Sequence, residues 1–129
     1  MKDQLHVVGI QTNLFWENPT KNIAAFEEKI NGLTENTDLV VLPEMFTTGF
    51  TMNPKNIAEK IDGNTISWLQ EIAVKKQLAI TGSIVIQKKK NIITNLFLCI
   101  LQAKLKRILK DILLLWRVKI KYILLVQKN

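Results

Sequence analysis

A glutamate that directly follows a short apolar run is the first candidate for chemistry. Asp38 to Leu42 reads DLVVL, which is typical of a strand covered on both faces, and Pro43 and Glu44 follow at once. A carboxylate at a strand end has the type and the placement of a general base. The spacing alone favours the alternative, a solvated glutamate in a Pro-Glu turn.

Other side chains that could act as nucleophile or base have weaker surroundings. Cys99 lies in NLFLCILQ, and apolar neighbours disfavour the thiolate, so a buried structural thiol is predicted. His6, the single histidine, lies in a predicted strand with no accompanying Ser or Asp motif, which favours a core or edge position. The run Lys88 to Lys90 is typical of a solvated strand end.

No pattern for a cofactor or a metal ion is present. The sequence has neither a Gly-rich phosphate loop nor metal-ligand spacing, so no cofactor and no metal are expected. Aromatic residues in the basic tail are limited to Trp116 and Tyr122, which argues against a nucleic-acid partner.

The N-terminus and the single cysteine bear on location. MKDQLHVVGIQTN lacks the layout of a signal peptide, and one cysteine allows no disulfide framework. Asn91 to Ala103 is the longest charge-free stretch of the second half, well short of the roughly 20 residues of a membrane span. We therefore expect a cytoplasmic protein without a membrane span.

Strands and helices are predicted to alternate in the first part of the chain. A helix capped by Asn18 or Thr20 ends near Gly32, and Pro19 suits its first turn. This alternation predicts an α/β fold with parallel strands, and it places Glu44 at the carboxyl edge, where such sheets bind ligands. The remaining predicted elements are strands at Leu5–Thr12, Asp38–Leu42 and Leu78–Gln87 and a helix at Thr65–Gln77.

The chain divides into two unlike parts. Residues 1–87 hold seven lysines and ten acidic residues, whereas residues 88–129 hold eleven basic residues and one acid. All five glycines and three prolines lie before residue 83. The tail could form a basic amphipathic helix. Its apolar residues at helical spacing are Leu105, Ile108, Leu109, Ile112, Leu113 and Trp116.

Residues 1–87 resemble the N-terminal part of the carbon-nitrogen hydrolase (nitrilase) superfamily, in its omega-amidase-like branch. DLVVLPEMFTTGFTMN carries the resemblance, and VVGIQTNLFWENPTKN and WLQEIAVKKQLAITGSIVI support it. The resemblance implies the N-terminal part of an α-β-β-α sandwich, here truncated. It also implies hydrolysis of a small linear amide at a Glu-Lys-Cys site, and a homo-oligomer if the enzyme is intact.

The family's glutamate corresponds to Glu44. The family's cysteine comes well beyond residue 129, so Cys99 is not its counterpart, and the lysine block is not readable after residue 87. The resemblance therefore implies a fragment without the catalytic lysine and cysteine, and an inactive one. Phe46 and Phe50 are expected to keep the pocket around Glu44 dry.

Residues 88–129 are interpreted as family sequence translated in a shifted frame. Lysine codons are runs of adenine, and we place the shift at Lys88 to Lys90. In the shifted frame, each new codon consists of the third base of one residue's codon and the first two bases of the next residue's codon. Read in this way, Leu109 to Ile112 can encode K-R-H. Arg117 to Ile120 can encode G-E-D in the same way, which is similar to the family's lysine block.

Two rival interpretations stay open. One is a small non-enzymatic protein whose basic amphipathic tail binds acidic partners or membrane surfaces, which predicts salt-sensitive binding to liposomes. The other is a complete small enzyme that uses Glu44 with partners that the sequence does not indicate.

Overall fold

The described part of the chain is a mixed α/β structure built on one sheet. The computed structural model describes residues 6–33, 36–88, 91–101 and 123–126. Its elements are β1 (Val7–Gly9), α1 (Pro19–Asn31), β2 (Leu39–Val41), α2 (Pro54–Ile57), α3 (Asn64–Lys76), β3 (Ala79–Lys88), β4 (Asn91–Leu101) and β5 (Ile123–Val126).

The sheet follows chain order, β1-β2-β3-β4-β5. The first three strands pair in parallel, with Val8, Val40 and Ile80 side by side. β4 runs antiparallel to β3, and β5 runs parallel to β4. The predicted parallel pairing is confirmed, and α1 and α3 are the crossovers between its strands.

Helix α1 begins and ends where its sequence signals predict. The Asn18 side chain accepts a hydrogen bond from the Lys21 N–H at 3.2 Å, Pro19 occupies the first turn, and the Gly32 N–H donates to the Glu28 carbonyl. Helix α3 has no side-chain cap at Gly63. The Glu59 carboxylate instead accepts from the Thr65 N–H at 3.1 Å and from the Thr65 hydroxyl.

The core lies between the sheet and the two long helices. Phe46, from the loop after β2, is completely buried and meets Phe26 of α1 edge-on, with ring centroids 5.7 Å apart. Its centroid also lies 6.4 Å from that of Trp68 on α3. Gly82 makes room for this ring, because a Cβ there would lie 2.8 Å from Phe46 Cδ1.

Strands β1 and β2 are shorter and less covered than predicted. Val40 is fully buried in the core, but its neighbour Val41 is 37% exposed, so the prediction of a strand covered on both faces is wrong within the described residues. The predicted buried strand Leu5–Thr12 is the short edge strand β1, with Val7 50% exposed. Among the described residues, strand β1 pairs with β2 alone, along Leu39–Val41.

The tail departs from the predicted helix where it is described. Ile123–Val126 forms β5, and its backbone pairs with that of Leu98 to Leu101 in the adjacent strand β4. The apolar residues at helical spacing lie in 102–122, outside the described residues. Cys99 lies in β4, opposite Thr81 of β3.

Asn22 joins the loop after β1 to the loop after β2. Its side chain is buried and accepts from the Phe15 N–H at 2.8 Å. Its amide nitrogen donates to the Phe15 carbonyl at 2.7 Å and to the Thr47 carbonyl at 2.6 Å. One amide group therefore uses its acceptor and both its donors on two loops that are distant in sequence.

We expect Gly82→Ala to destabilise the fold by about 1–3 kcal/mol, because the added methyl forces the fully buried Phe46 ring to move. The midpoint of urea denaturation, followed by tryptophan fluorescence, measures the change. Gly9→Ala is the matched control, since a Cβ on Gly9 meets nothing within 4 Å. Equal losses in the two variants would contradict the packing argument.

We expect Asn22→Asp to cost about 2–3 kcal/mol or more, because a carboxylate cannot donate and would face two buried carbonyl oxygens. Asn64→Asp introduces the same change at the exposed first residue of α3, where a negative charge is tolerated. Urea midpoints of the two variants compare these sites directly. A midpoint for Asn22→Asp as high as that for Asn64→Asp would show that the Asn22 contacts are dispensable.

Candidate functional site

Glu44 lies where the chain leaves the parallel ladder between β2 and β3. The Leu42 N–H donates to the Thr81 carbonyl at 2.8 Å, continuing the ladder past the end of β2. Evenly spaced parallel bonding would next join residue 44 to the Ser83 carbonyl. The Phe46 N–H makes that bond instead, at 3.3 Å, so two additional residues are looped out of the ladder. Pro43, which has no N–H to donate, opens the loop.

The backbone after Glu44 is held in an unusual conformation. Met45 has a φ of 48°, in the left-handed region, which costs a non-glycine residue roughly 1–2 kcal/mol. Its N–H donates to the Ser83 hydroxyl at 2.9 Å, and its carbonyl accepts from the N–H groups of Thr48 and Gly49. The Met45 side chain is buried. Surrounding contacts therefore hold Met45 in this conformation from several sides.

Glu44 is exposed, whereas the four residues that follow it are buried. Those four are Met45, Phe46, Thr47 and Thr48. Burial of these four residues holds the turn against the protein, and Glu44 stays on its exposed side. Among the residues that the structure describes, none donates a hydrogen bond to this carboxylate, and Glu44 is accessible from outside the protein.

The two phenylalanines do not form the predicted dry pocket wall. Phe46 is 0% exposed and belongs to the hydrophobic core, because the turn directs it inward between α1 and α3. Phe50 is 75% exposed and, within the described ranges, encloses nothing. The expectation that both rings shield Glu44 is therefore wrong for Phe46 and is not met at Phe50.

The loop after β1 lies against the loop after β2. The Glu17 N–H donates to the Thr48 carbonyl at 2.7 Å, and the Trp16 indole N–H donates to the Phe50 carbonyl at 2.9 Å. The Thr51 hydroxyl donates to the Glu17 carboxylate at 2.6 Å. Exposed apolar side chains line this carboxyl edge of the sheet: Phe15, Trp16, Phe50 and Met52.

His6 is separated from Glu44 by the length of the short strands. It is exposed and precedes β1, so it lies at the amino edge of the parallel strands, whereas Glu44 lies at the carboxyl edge. Its N–H donates to the Asp38 carboxylate at 2.9 Å, and its carbonyl accepts from the N–H groups of Asp38 and Leu39. These backbone contacts give His6 an edge position in the sheet and no part in the site.

The other sequence candidates fall partly outside the structure. For Cys99 only the course of the backbone is described, so its predicted burial stays a prediction. Lys89 and Lys90 lie outside the described residues, and Lys88 is the last residue of β3. In the described ranges, no group of three or more His, Cys, Asp or Glu side chains could hold a metal ion. No helix there is long and apolar enough to span a bilayer.

Sequence reasoning missed the two polar residues that hold the loops. Asn22 carried a readable signal, since it shares the spacing of Phe26 and Ile30 on the buried face of α1. A polar residue on such a face needs hydrogen-bond partners. Ser83 carried none, because a serine within an apolar strand is equally compatible with several roles.

Comparison with known families accounts for most of the chain. The family model described as carbon-nitrogen hydrolase matches residues 6–110. This range contains β1 to β4 and the Glu44 loop. It continues past residue 87, and the division of the chain at that residue stays a prediction.

Curated relatives are similar over about two thirds of the chain. Omega-amidase YafV of Escherichia coli strain K12 is 31% identical over 83 residues, which cover 64% of this chain and 32% of the relative. Omega-amidase YafV of Yersinia enterocolitica is 34% identical over 80 residues, which cover 62% of this chain and 30% of the relative. The 2-oxoglutaramate amidase of Bacillus subtilis strain 168 is 28% identical over 91 residues, which cover 69% of this chain and 35% of the relative.

A solved structure has the same fold over the matched part. XC1258 of Xanthomonas campestris, described as a CN-hydrolase superfamily protein with an arsenic adduct in its active site, superimposes with a TM-score of 0.67 at 31% identity. The match covers 72% of this chain and 36% of XC1258, so the chain spans about a third of its relatives' length. With a family match over most of its residues and this shared fold, the chain belongs to the carbon-nitrogen hydrolase family.

Proposed function

We propose that this chain carries the general-base part of an amidase that hydrolyses a small linear amide, with Glu44 as the base. The observation that carries the proposal is the loop at the end of β2, which exposes Glu44 while Met45 to Thr48 anchor it in the protein. The carbon-nitrogen hydrolase match over residues 6–110, which include this loop, and the similarity of the chain to omega-amidases support it.

The proposed reaction uses the Glu-Lys-Cys site that the family resemblance implies. The glutamate takes the proton of a cysteine thiol, and the thiolate attacks the amide carbon. A lysine and backbone N–H groups stabilise the oxyanion. The glutamate returns the proton to the leaving amine and then activates a water molecule that releases the acyl group. In this proposal Glu44 supplies the proton transfers, and we assign no residue of this sequence to the cysteine or the lysine.

The proposed origin of residues 88–129 accounts for a lysine block that is not readable in the sequence after residue 87. We infer that this tail is the family's lysine block translated in a shifted frame, with the shift at Lys88 to Lys90. Support comes from the loss of Gly and Pro after residue 82, the eleven basic residues against one acid, and the K-R-H and G-E-D readings of the other frame.

The coding DNA tests the shifted frame. We expect the other frame to continue without a stop downstream of the lysine codons and to encode a cysteine at a later strand end. An early stop codon, or a frame that continues without such a cysteine, would end this interpretation. Repair of one base then yields the frame-restored enzyme, the name used below for that product.

The 129-residue chain by itself is expected to have no amidase activity, since a base without a nucleophile and oxyanion donors has nothing to activate. Loss of a covalent nucleophile typically costs several orders of magnitude in rate. Ammonia release from 2-oxoglutaramate, the amide in the name of one relative, measures this. Turnover by the purified chain that disappears in Glu44→Gln would refute the expectation.

In the frame-restored enzyme, Glu44→Gln is expected to lower kcat by about 10²–10⁴-fold or more, because an amide keeps the shape of the side chain but cannot take the proton. Glu71→Gln, the same change at an exposed position of α3, should leave kcat unchanged. If Glu44→Gln retains kcat within a few-fold, Glu44 is a surface residue and the proposed function falls.

A further inference from the structure

Ser83 accepts hydrogen bonds from the backbone N–H groups of the two residues that follow Glu44. Its side-chain hydroxyl accepts from the Met45 N–H at 2.9 Å, and its carbonyl accepts from the Phe46 N–H at 3.3 Å. Ser83 is completely buried in the middle of β3, a ten-residue strand paired on both sides. These two contacts therefore tie the loop to one of the longest elements of the sheet.

The contacts of the Met45 carbonyl with the Thr48 and Gly49 N–H groups lie beyond Met45, on the side away from Glu44. Between Leu42 and the Met45 N–H, the described residues offer few other contacts that fix the direction of Glu44. On the N-terminal side of Glu44, Pro43 has no N–H that could bond to β3, so the last hydrogen bond to β3 before Glu44 is the one made by the Leu42 N–H. After Glu44, Met45 is left-handed, so its φ reverses the course of the chain at that point. The bond to the Ser83 hydroxyl is made by the N–H of this same residue, one peptide plane from the Cα of Glu44.

We propose that Ser83 is a positioning residue for Glu44, acting through the Met45 N–H. The hydroxyl fixes the peptide plane between Glu44 and Met45, and this plane sets the direction in which the carboxylate leaves the loop. The inference rests on the proposed role of Glu44 as the general base. A base displaced by about 1 Å can lose about 10²-fold in rate while substrate binding is retained.

The alternative explanation is that Ser83 merely fills space in β3. Under that explanation, loss of its hydroxyl lowers stability but leaves the base correctly placed in the molecules that remain folded. The two explanations therefore differ in the kinetic constants of folded enzyme and in the local protection of the Met45 amide.

Kinetics of the frame-restored enzyme provide the first test. Ser83→Ala is expected to lower kcat about 10–100-fold with KM changed by less than about threefold, and Ser83→Thr, which keeps the hydroxyl, should recover most of kcat. Ser67→Ala, at an exposed position of α3, is the matched control and should behave as the parent enzyme. Equal kcat values for Ser83→Ala and Ser67→Ala would overturn the inference.

The Glu44→Gln variant separates this inference from the proposed function. If Glu44→Gln abolishes turnover while Ser83→Ala keeps it, only the positioning role fails. If Glu44→Gln keeps full activity, the proposed function fails, and the positioning role fails with it.

Amide hydrogen exchange on the 129-residue chain tests the contact without any activity. In Ser83→Ala, the Met45 amide should exchange at least tenfold faster, whereas the Leu42 amide, bonded to the Thr81 carbonyl, should change only with global stability. Unchanged exchange at Met45, or equal acceleration at Leu42 and Met45, would overturn the inference.

Discussion

The burial of Phe46 against Gly82 is the contact on which the arrangement of the described residues depends. The ring lies between α1, α3 and β3, and it fits only because residue 82 has no side chain. An aromatic ring of this size contributes on the order of 2–3 kcal/mol when it is fully buried. Its position also fixes the loop, since a turn that directs Phe46 inward leaves Glu44 on the outer side.

Hydrogen bonds from α1 and β3 also hold the loop after β2 in place. The buried amide of Asn22 holds the Thr47 carbonyl from α1, and Ser83 holds the N–H groups of Met45 and Phe46 from β3. A short loop with a left-handed residue is costly, and it persists where the surrounding structure supplies enough contacts to determine it. Here those contacts come from two elements that are neighbours in space and distant in sequence.

The loop after β2 lies within the part of the chain that matches the carbon-nitrogen hydrolase family. The chain spans about a third of its relatives' length. In the part that the structure describes, the exposed Glu44 at the end of β2 is followed by four buried residues that make hydrogen bonds to β3 and α1. The loop after β1 contributes Trp16 and Glu17 to the same edge through bonds to Phe50 and Thr48. The neighbouring exposed side chains are largely apolar, a common composition for surfaces that bind small molecules or pack on further protein.

The sequence by itself determined the order of β1, α1, β2, α3 and β3, the parallel pairing of these three strands and the place of Glu44 at a strand end. Capping residues such as Asn18 and Gly32, and the apolar runs of β2 and β3, are local signals that hold in almost any context. The tertiary structure alone decided that Phe46 enters the core, that Val41 stays exposed and that Ile123–Val126 pairs as a strand. It also decided that Ser83 and Asn22 hold the loop. These outcomes depend on which distant segment lies beside each residue, and spacing along one chain carries no information about that neighbour.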